Sequence, residues 1–429
     1  MVSTYMPLRY SDMHISELNH DLTQRATMHG MRATSLEHLQ TLIAHAIAKD
    51  GYQASLNHID VSGIDDMRAL FFHKDIVDGE SIDLKKFQGD MSQWDTSNVK
   101  RMATMFRDCE YVGDISKWNV RNVEDMSAMF SGSACRVDIS RWQTPNLRDT
   151  SKMFEGALWV PDIASWDMSE VLDTTEMFQR SDFNGDVSRW NTGRLIKAQY
   201  MFAFCPFNGD VSAWDTSHLF DSSYMFAGSL FNGDVSRWNT WQLESAKGMF
   251  SDTPFNGDIS QWSTASMKNI SGMFENCAFQ GNLSRWDVSG INNFSCMFRR
   301  TAYAGDLSGW KFKRTADVSR MISKECTVKM PLDWPSSRVE TLFANQAHLK
   351  EWFVHAQYKG LAAWEKAQTK SRPPWWSKEE FKTLQRVRDT LLQLGADPKM
   401  VVAQSWQQWH ETTQNPIEAL EEPFDFSMT

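Results

Sequence analysis

Tryptophan returns at a fixed interval along most of this chain. Trp94, Trp118, Trp142, Trp166, Trp190, Trp214, Trp238, Trp262, Trp286 and Trp310 fall every 24 residues without an insertion or deletion, and Trp334 is one step further. A constant period in this range is the signature of a repeat array. One unit cannot bury its apolar face alone, but stacked copies bury a continuous core. Position 11 after the tryptophan is methionine in all ten repeats, from Met105 to Met321, and position 12 is phenylalanine in nine, with Ile322 in the tenth. The Trp, Met and Phe columns are therefore the core, and the 429 residues need not divide into conventional domains, because an array grows by stacking.

The best-preserved copies are Phe183–Trp190, Phe207–Trp214, Phe231–Trp238 and Phe255–Trp262, all of the form FNGD[VI]SxW. Asn-Gly reads as a turn, since both residues tolerate positive φ. Asp-Val/Ile-Ser-x-Trp reads as a short strand. The segment after the tryptophan, as in Asp95-Thr96-Ser97-Asn98, reads as a helix start with Ser97 as N-cap. Val99, Met102, Met105 and Phe106 then match the stripe of a one-sided helix. The expected fold class is an α/β repeat solenoid, leucine-rich-repeat-like, of ten strand-helix repeats with helical N- and C-terminal cap domains.

The expected organisation is a helical N-terminal domain over 1–58, an atypical capping repeat over 59–86, the ten-repeat solenoid over 87–326, a shortened last repeat over 327–343 and a helical C-terminal domain with an acidic tail over 344–429. In the first of these, 14–30 is a weakly amphipathic helix and Ser35 to Gly51 a better one, with a serine start and a glycine stop. Residues 60–71 are a degenerate copy of 95–106. Towards the C-terminus, helices are expected at 338–357, 378–394 and about 398–412.

The pattern F-N-G-D-[VI]-S-x-W-[DN]-x-S-x-[VL]-x-x-M-x-x-M-F over about residues 87–326 resembles the repeat of unknown function of bacterial surface lipoproteins, grouped with the BspA-like leucine-rich-repeat family. The resemblance implies a surface or secreted interaction protein. It assigns Phe, Asn, Gly, Asp, Ser, Trp, Met and Phe to the scaffold and transfers no catalytic residue.

Little points to chemistry. No cysteine follows Cys326, which excludes a C-terminal ligase domain built on a catalytic thiol. No GxxxxGK[ST] loop is present. Cys109, Cys205 and Cys277 share a column otherwise filled by small residues, so they read as buried thiols. The six cysteines fit no zinc or redox spacing. The aspartates four before the tryptophan, among them Asp186, Asp210, Asp234 and Asp258, form a ladder with Asn282 as the exception. They read as caps of backbone N–H groups, with a calcium ladder as the competing reading. No cofactor and no metal is assigned.

The formal net charge is −10 with both signs interspersed, which argues against generic nucleic-acid binding. No run of 18 apolar residues exists to span a membrane, and the N-terminus has no signal-peptide pattern. These features point to a cytoplasmic location or to export without a classical signal. The one free column is the residue just before the tryptophan, where Lys117, Arg141, Arg189, Arg237 and Arg285 stand. They are the candidate partner-binding residues. The sequence thus favours a non-enzymatic protein-protein interaction scaffold, such as a secreted bacterial effector, working through the solenoid sheet face and the end domains. A structural part of a larger assembly such as a phage particle is the alternative, and an enzyme confined to the C-terminal helices is the third reading.

Overall fold

The computed structural model describes residues 31–313 and 315–323, together with residues 326 and 328. The helices expected at 14–30, 338–357, 378–394 and 398–412 lie outside the described residues, as does nearly all of the shortened last repeat. The chain separates into two compact units, dividing between Met168 and Ser169.

The first unit opens with strand β1 (Met31–Arg32), helix α1 (Leu36–Asp50) and strand β2 (Ile59–Asp60). Ser35 caps α1 by accepting the His38 N–H, and Gly51, at φ 79°, ends it with its N–H on Ile47 C=O. The helix buries Leu39, Ile43, Ala44, Ala46 and Ile47. β1 and β2 pair in parallel, Met31 opposite Ile59. Residues 72–86, which interrupt the period, form an antiparallel hairpin of β3 (Lys74–Val77) and β4 (Glu80–Asp83). Its two-residue turn is Asp78-Gly79, both at positive φ (52° and 87°), as a primed hairpin turn requires. This Asp-Gly signal was present in the sequence, and the expectation of an atypical capping repeat over 59–86 did not use it.

The repeats depart from the strand-helix expectation. No helix or strand is assigned among the described residues from 87 to 323; only isolated bridges join the coils. Each 24-residue coil is a succession of tight turns. Around Trp214, Trp214 N–H bonds Val211 C=O (3.2 Å), Leu219 N–H bonds Thr216 C=O (3.0 Å) and Met225 N–H bonds Ser222 C=O (3.0 Å). The expected strand before the tryptophan is thus a turn. Ser97, expected as an N-cap, instead gives its own N–H to Asp95 Oδ1.

What replaces the helix is a ladder between coils. In the second unit, Ser222, Phe226 and Gly228 N–H donate to Ser245, Met249 and Ser251 C=O at 2.8–3.1 Å, and Tyr224 N–H donates to Lys247 C=O. The first unit repeats the arrangement, Met102, Thr104, Phe106 and Asp108 donating to Asp125, Ser127, Met129 and Ser131. Parallel bridges 24 residues apart mark it: Arg101–Asp125–Asp149 in the first unit, and Asp173 through Lys197, Asp221, Ser245, Asn269 and Asn293 to Asp317 in the second. Residues 66–71 join the same ladder, Met67 N–H donating to Arg101 C=O and Phe71 N–H to Met105 C=O. The backbone is incompatible with a helix at two places in each coil from Trp94 to Trp286, 10 and 14 after the tryptophan. Thr104, Tyr200 and Tyr224 occupy the first at φ 56–58°, and Asp108, Phe204 and Gly228 the second at φ 54–67°.

The core is a set of columns running from coil to coil. The Met and Phe side chains 11 and 12 after the tryptophan are at most 2 % exposed throughout. Tryptophan rings of neighbouring coils stack nearly parallel, Trp214 on Trp238 at 6.4 Å and 2°. Indole N–H groups from Trp118 onward reach back to the carbonyl 27 residues earlier, Trp118 to Met91 at 3.2 Å and Trp214 to Val187 at 3.0 Å, while Trp94 reaches Leu56 at 3.0 Å. Phe207 stacks on Phe202 at 3.8 Å.

Candidate interaction surface

Polar side chains adjoining the core are spent on the turns, which decides what remains free for a partner. Asp210 Oδ1 accepts Ser212 N–H (2.9 Å), Asp215 Oδ1 accepts Ser217 N–H (2.9 Å) and Asp221 Oδ1 accepts Ser223 N–H (2.8 Å), so one coil carries three Asx turns. The residue four before the tryptophan, aspartate in nine coils and asparagine in one, does this in all ten. Asp186, Asp234 and Asp258 bond Ser188, Ser236 and Ser260 N–H, and Asn282 serves Ser284 equally well, since an amide oxygen accepts the same bond. These bonds hold the Asp186, Asp210, Asp215 and Asp234 carboxylates below the usual range. For Asp210 and Asp234 the cause is the Ser N–H two residues on, then the serine hydroxyl. Neighbouring Asp186 and Asp234 push Asp210 the other way. Among the described residues no cluster of metal-ligating side chains is found.

The Asn-Gly pair works differently from the expectation. Neither Asn208 nor Gly209 takes a positive φ. Gly209 is needed because the Phe207 ring folds back over it: an added Cβ would lie 2.7 Å from Phe207 Cε2. Asn208 turns its Oδ1 to the next coil, where it accepts Asn232 N–H at 2.9 Å.

The thiols Cys109, Cys135, Cys205 and Cys277 are buried. Burial pushes Cys205 up to about 12 and Cys135 up to about 11. Nothing about them suits a nucleophile.

The free column is where the sequence places it. Lys117 and Arg141 in the first unit, and Arg189, Arg237 and Arg285 in the second, are exposed. None of the five enters a salt bridge among the described residues. The structure adds residues that sequence reasoning missed. Six positions after the tryptophan the column reads Lys100, Glu124 and Arg148 in the first unit and Leu172, Ile196, Phe220, Glu244, Lys268, Asn292 and Ala316 in the second; Ile196 and Phe220 are 39 % and 46 % exposed. Trp241, three after its repeat tryptophan, is 59 % exposed in a column where its neighbouring coils hold Ser217 and Ala265 and no other coil holds an aromatic residue. The signal was available as a departure from the column pattern, and attention to conserved columns hid it. Phe204 is also exposed; it lies over Gly228, whose Cβ position is 2.5 Å from Phe204 Cδ1, and Arg180 sits 5.8 Å from its ring centre.

Comparison with known proteins gives one match. The model of a family described as "Mycoplasma protein of unknown function, DUF285" matches three times, at residues 38–160, 158–254 and 229–334. No curated protein and no solved structure matches the chain.

Proposed function

Because the chain belongs to the DUF285 family, a repeat family of unknown function whose model covers more than half of it, we propose that it is a non-enzymatic scaffold that binds a protein partner on the exposed columns of a solenoid. The observation that carries this reading is the break in column chemistry at Ile196, Phe220 and Trp241. Stacking explains every residue that repeats. It does not explain large apolar side chains held in water at positions where other coils carry charge or small groups, as Lys100, Glu124, Glu244 and Lys268 do in the column of Ile196 and Phe220, and Ser217 and Ala265 in that of Trp241. Contiguous exposed apolar surface marks interaction sites; Ile196 and Phe220 hold the same place in consecutive coils, Phe220 N–H donating to Ile196 C=O at 2.9 Å, and Trp with Arg is the composition of binding hot spots. Arg189 and Arg237 stand in the free column of the coils that carry Ile196 and Trp241 and supply the charge.

The finer kinship with BspA-like surface repeat proteins belongs to this proposal. Its support is the FNGD[VI]SxW motif. The backbone of the coil supports it less, being built from turns in place of a strand and a helix. The sheet face proposed for binding from sequence is correspondingly replaced by the turn-built columns named above.

The reading is tested by capture on the immobilised full chain, comparing wild type with Trp241→Ala and with Arg189→Glu/Arg237→Glu. Each substitution lies on an exposed position, so stability should change by no more than about 0.5 kcal/mol. Selective loss of a retained protein at unchanged Tm is the expected result. Retention of the same proteins by all three chains would overturn it.

A further inference from the structure

The second unit contains four Asn-Gly pairs, Asn184-Gly185, Asn208-Gly209, Asn232-Gly233 and Asn256-Gly257. All four asparagines are exposed. In an unrestrained chain this dipeptide is the one most prone to deamidate, because glycine leaves the following nitrogen unhindered. That nitrogen loses its proton and attacks Asn Cγ, closing a succinimide ring. The Cγ–Nδ2 bond breaks and ammonia leaves with the proton. Water then opens the ring at either carbonyl, giving aspartate or isoaspartate. Water is the only other reactant, and nothing is oxidised or reduced.

Here two restraints oppose the attack. Each side chain is tied to the next coil: Asn208 N–H donates to Asn184 Oδ1 (3.0 Å), Asn232 N–H to Asn208 Oδ1 (2.9 Å), Asn256 N–H to Asn232 Oδ1 (2.9 Å) and Gln280 N–H to Asn256 Oδ1 (2.8 Å). The amide carbon is thus held along the stacking direction by a neighbouring coil. The glycine is fixed as well. A Cβ at Gly185, Gly209, Gly233 or Gly257 would come within 2.7–2.8 Å of the Phe ring two residues earlier, so that ring sits hard against it.

We propose that these four pairs are latent isoaspartate sites, held closed by the amide ladder and opened one coil at a time when a ladder bond is lost. Isoaspartate routes the backbone through Cβ, which adds an atom to a coil whose neighbours tolerate no change in length. A transient opening would then become a permanent covalent mark at the coil that opened.

The test is site-resolved mass spectrometry of the full chain incubated at mildly alkaline pH, native and in urea. The native sites should convert at least about tenfold more slowly than the denatured ones, since conversion must wait for local opening. Equal rates would overturn the proposal. Asn232→Pro removes the N–H that holds Asn208 while leaving the Asn208-Gly209 pair intact. Asn208 should then convert about fivefold faster, the worth of one hydrogen bond, with Asn184 and Asn256 unchanged. No acceleration at Asn208, or equal acceleration at all three, would assign the protection to general compactness and overturn the role of the ladder. The native-against-urea comparison needs no variant and stands if the proline chain does not fold.

Discussion

Thr104 shows what one residue gives up to keep a coil closed. It is β-branched and sits at φ 57°, a region such side chains avoid. Asparagine tolerates that backbone, so Thr104→Asn should stabilise the protein by about 1 kcal/mol, read as a raised denaturant midpoint at unchanged slope. Aspartates make the opposite contribution. The turn carboxyls of Asp90, Asp114, Asp138, Asp186, Asp210 and Asp234 are held below their ordinary range by bonds to the serine two residues on. A depressed carboxyl stabilises the fold fully above its unfolded value, about 3.9, and loses that contribution as pH falls through the lower folded value. Tm should therefore hold from neutral pH to about 5 and fall progressively below about 4. A Tm that rose on acidification would refute the Asx role. Residue identities of the core were legible in advance, because a Trp, Met or Phe repeated at one spacing has few explanations besides burial. The reason for Gly209 was not. Glycine at a turn suggests a conformational need, and only the position of Phe207 shows that the need is space.

At the scale of the element, the helix after the tryptophan was misread for a physical reason. Val99, Met102, Met105 and Phe106 recur at intervals of three and one, and tight turns closing every three residues present that spacing to a core as well as a helix does. The discriminating residues were glycines. Gly248 and Gly272 stand 10 after their tryptophans, and Gly132, Gly156 and Gly228 stand 14 after. All five take positive φ, and glycine in a helix interior costs about 1 kcal/mol. Their recurrence in two columns marked a left-handed backbone that the other coils reach with ordinary residues. The turn element is also tightly filled. Gly209→Ala would force its Cβ onto Phe207 and should cost roughly 1–3 kcal/mol, seen as a lowered urea midpoint. Gly51→Ala gives a contrast, because nothing lies within 4 Å of the added atom there and only the positive φ of 79° is penalised.

At the scale of the molecule, each unit is held by nearest-neighbour coils, so stability is close to a sum over coils and their contacts. The hairpin at 74–83 and helix α1 belong to the first unit only, and their polar faces could not be placed from the repeat pattern because they break it. The 24-residue bridges make length the controlling variable. Excising 208–231 joins Phe207 to Asn232 and leaves every column in step, whereas excising one residue fewer shifts all later columns against their partners. The first deletion should give a soluble chain with a single cooperative unfolding transition and the second an unfolded or aggregated one, by circular dichroism and gel filtration.

In the second unit the indoles of Trp214, Trp238 and Trp262 reach back 27 residues for a carbonyl and bind coil to preceding coil by the same contact. At the level of the gene, that makes the coil a unit of inheritance. Unequal crossing-over between two near-identical FNGD segments adds or drops a whole 24-residue coil and delivers a foldable product at once. The number of coils is then free to vary between descendants, while Ile196, Phe220 and Trp241 are carried within particular coils and travel with them when those coils are copied.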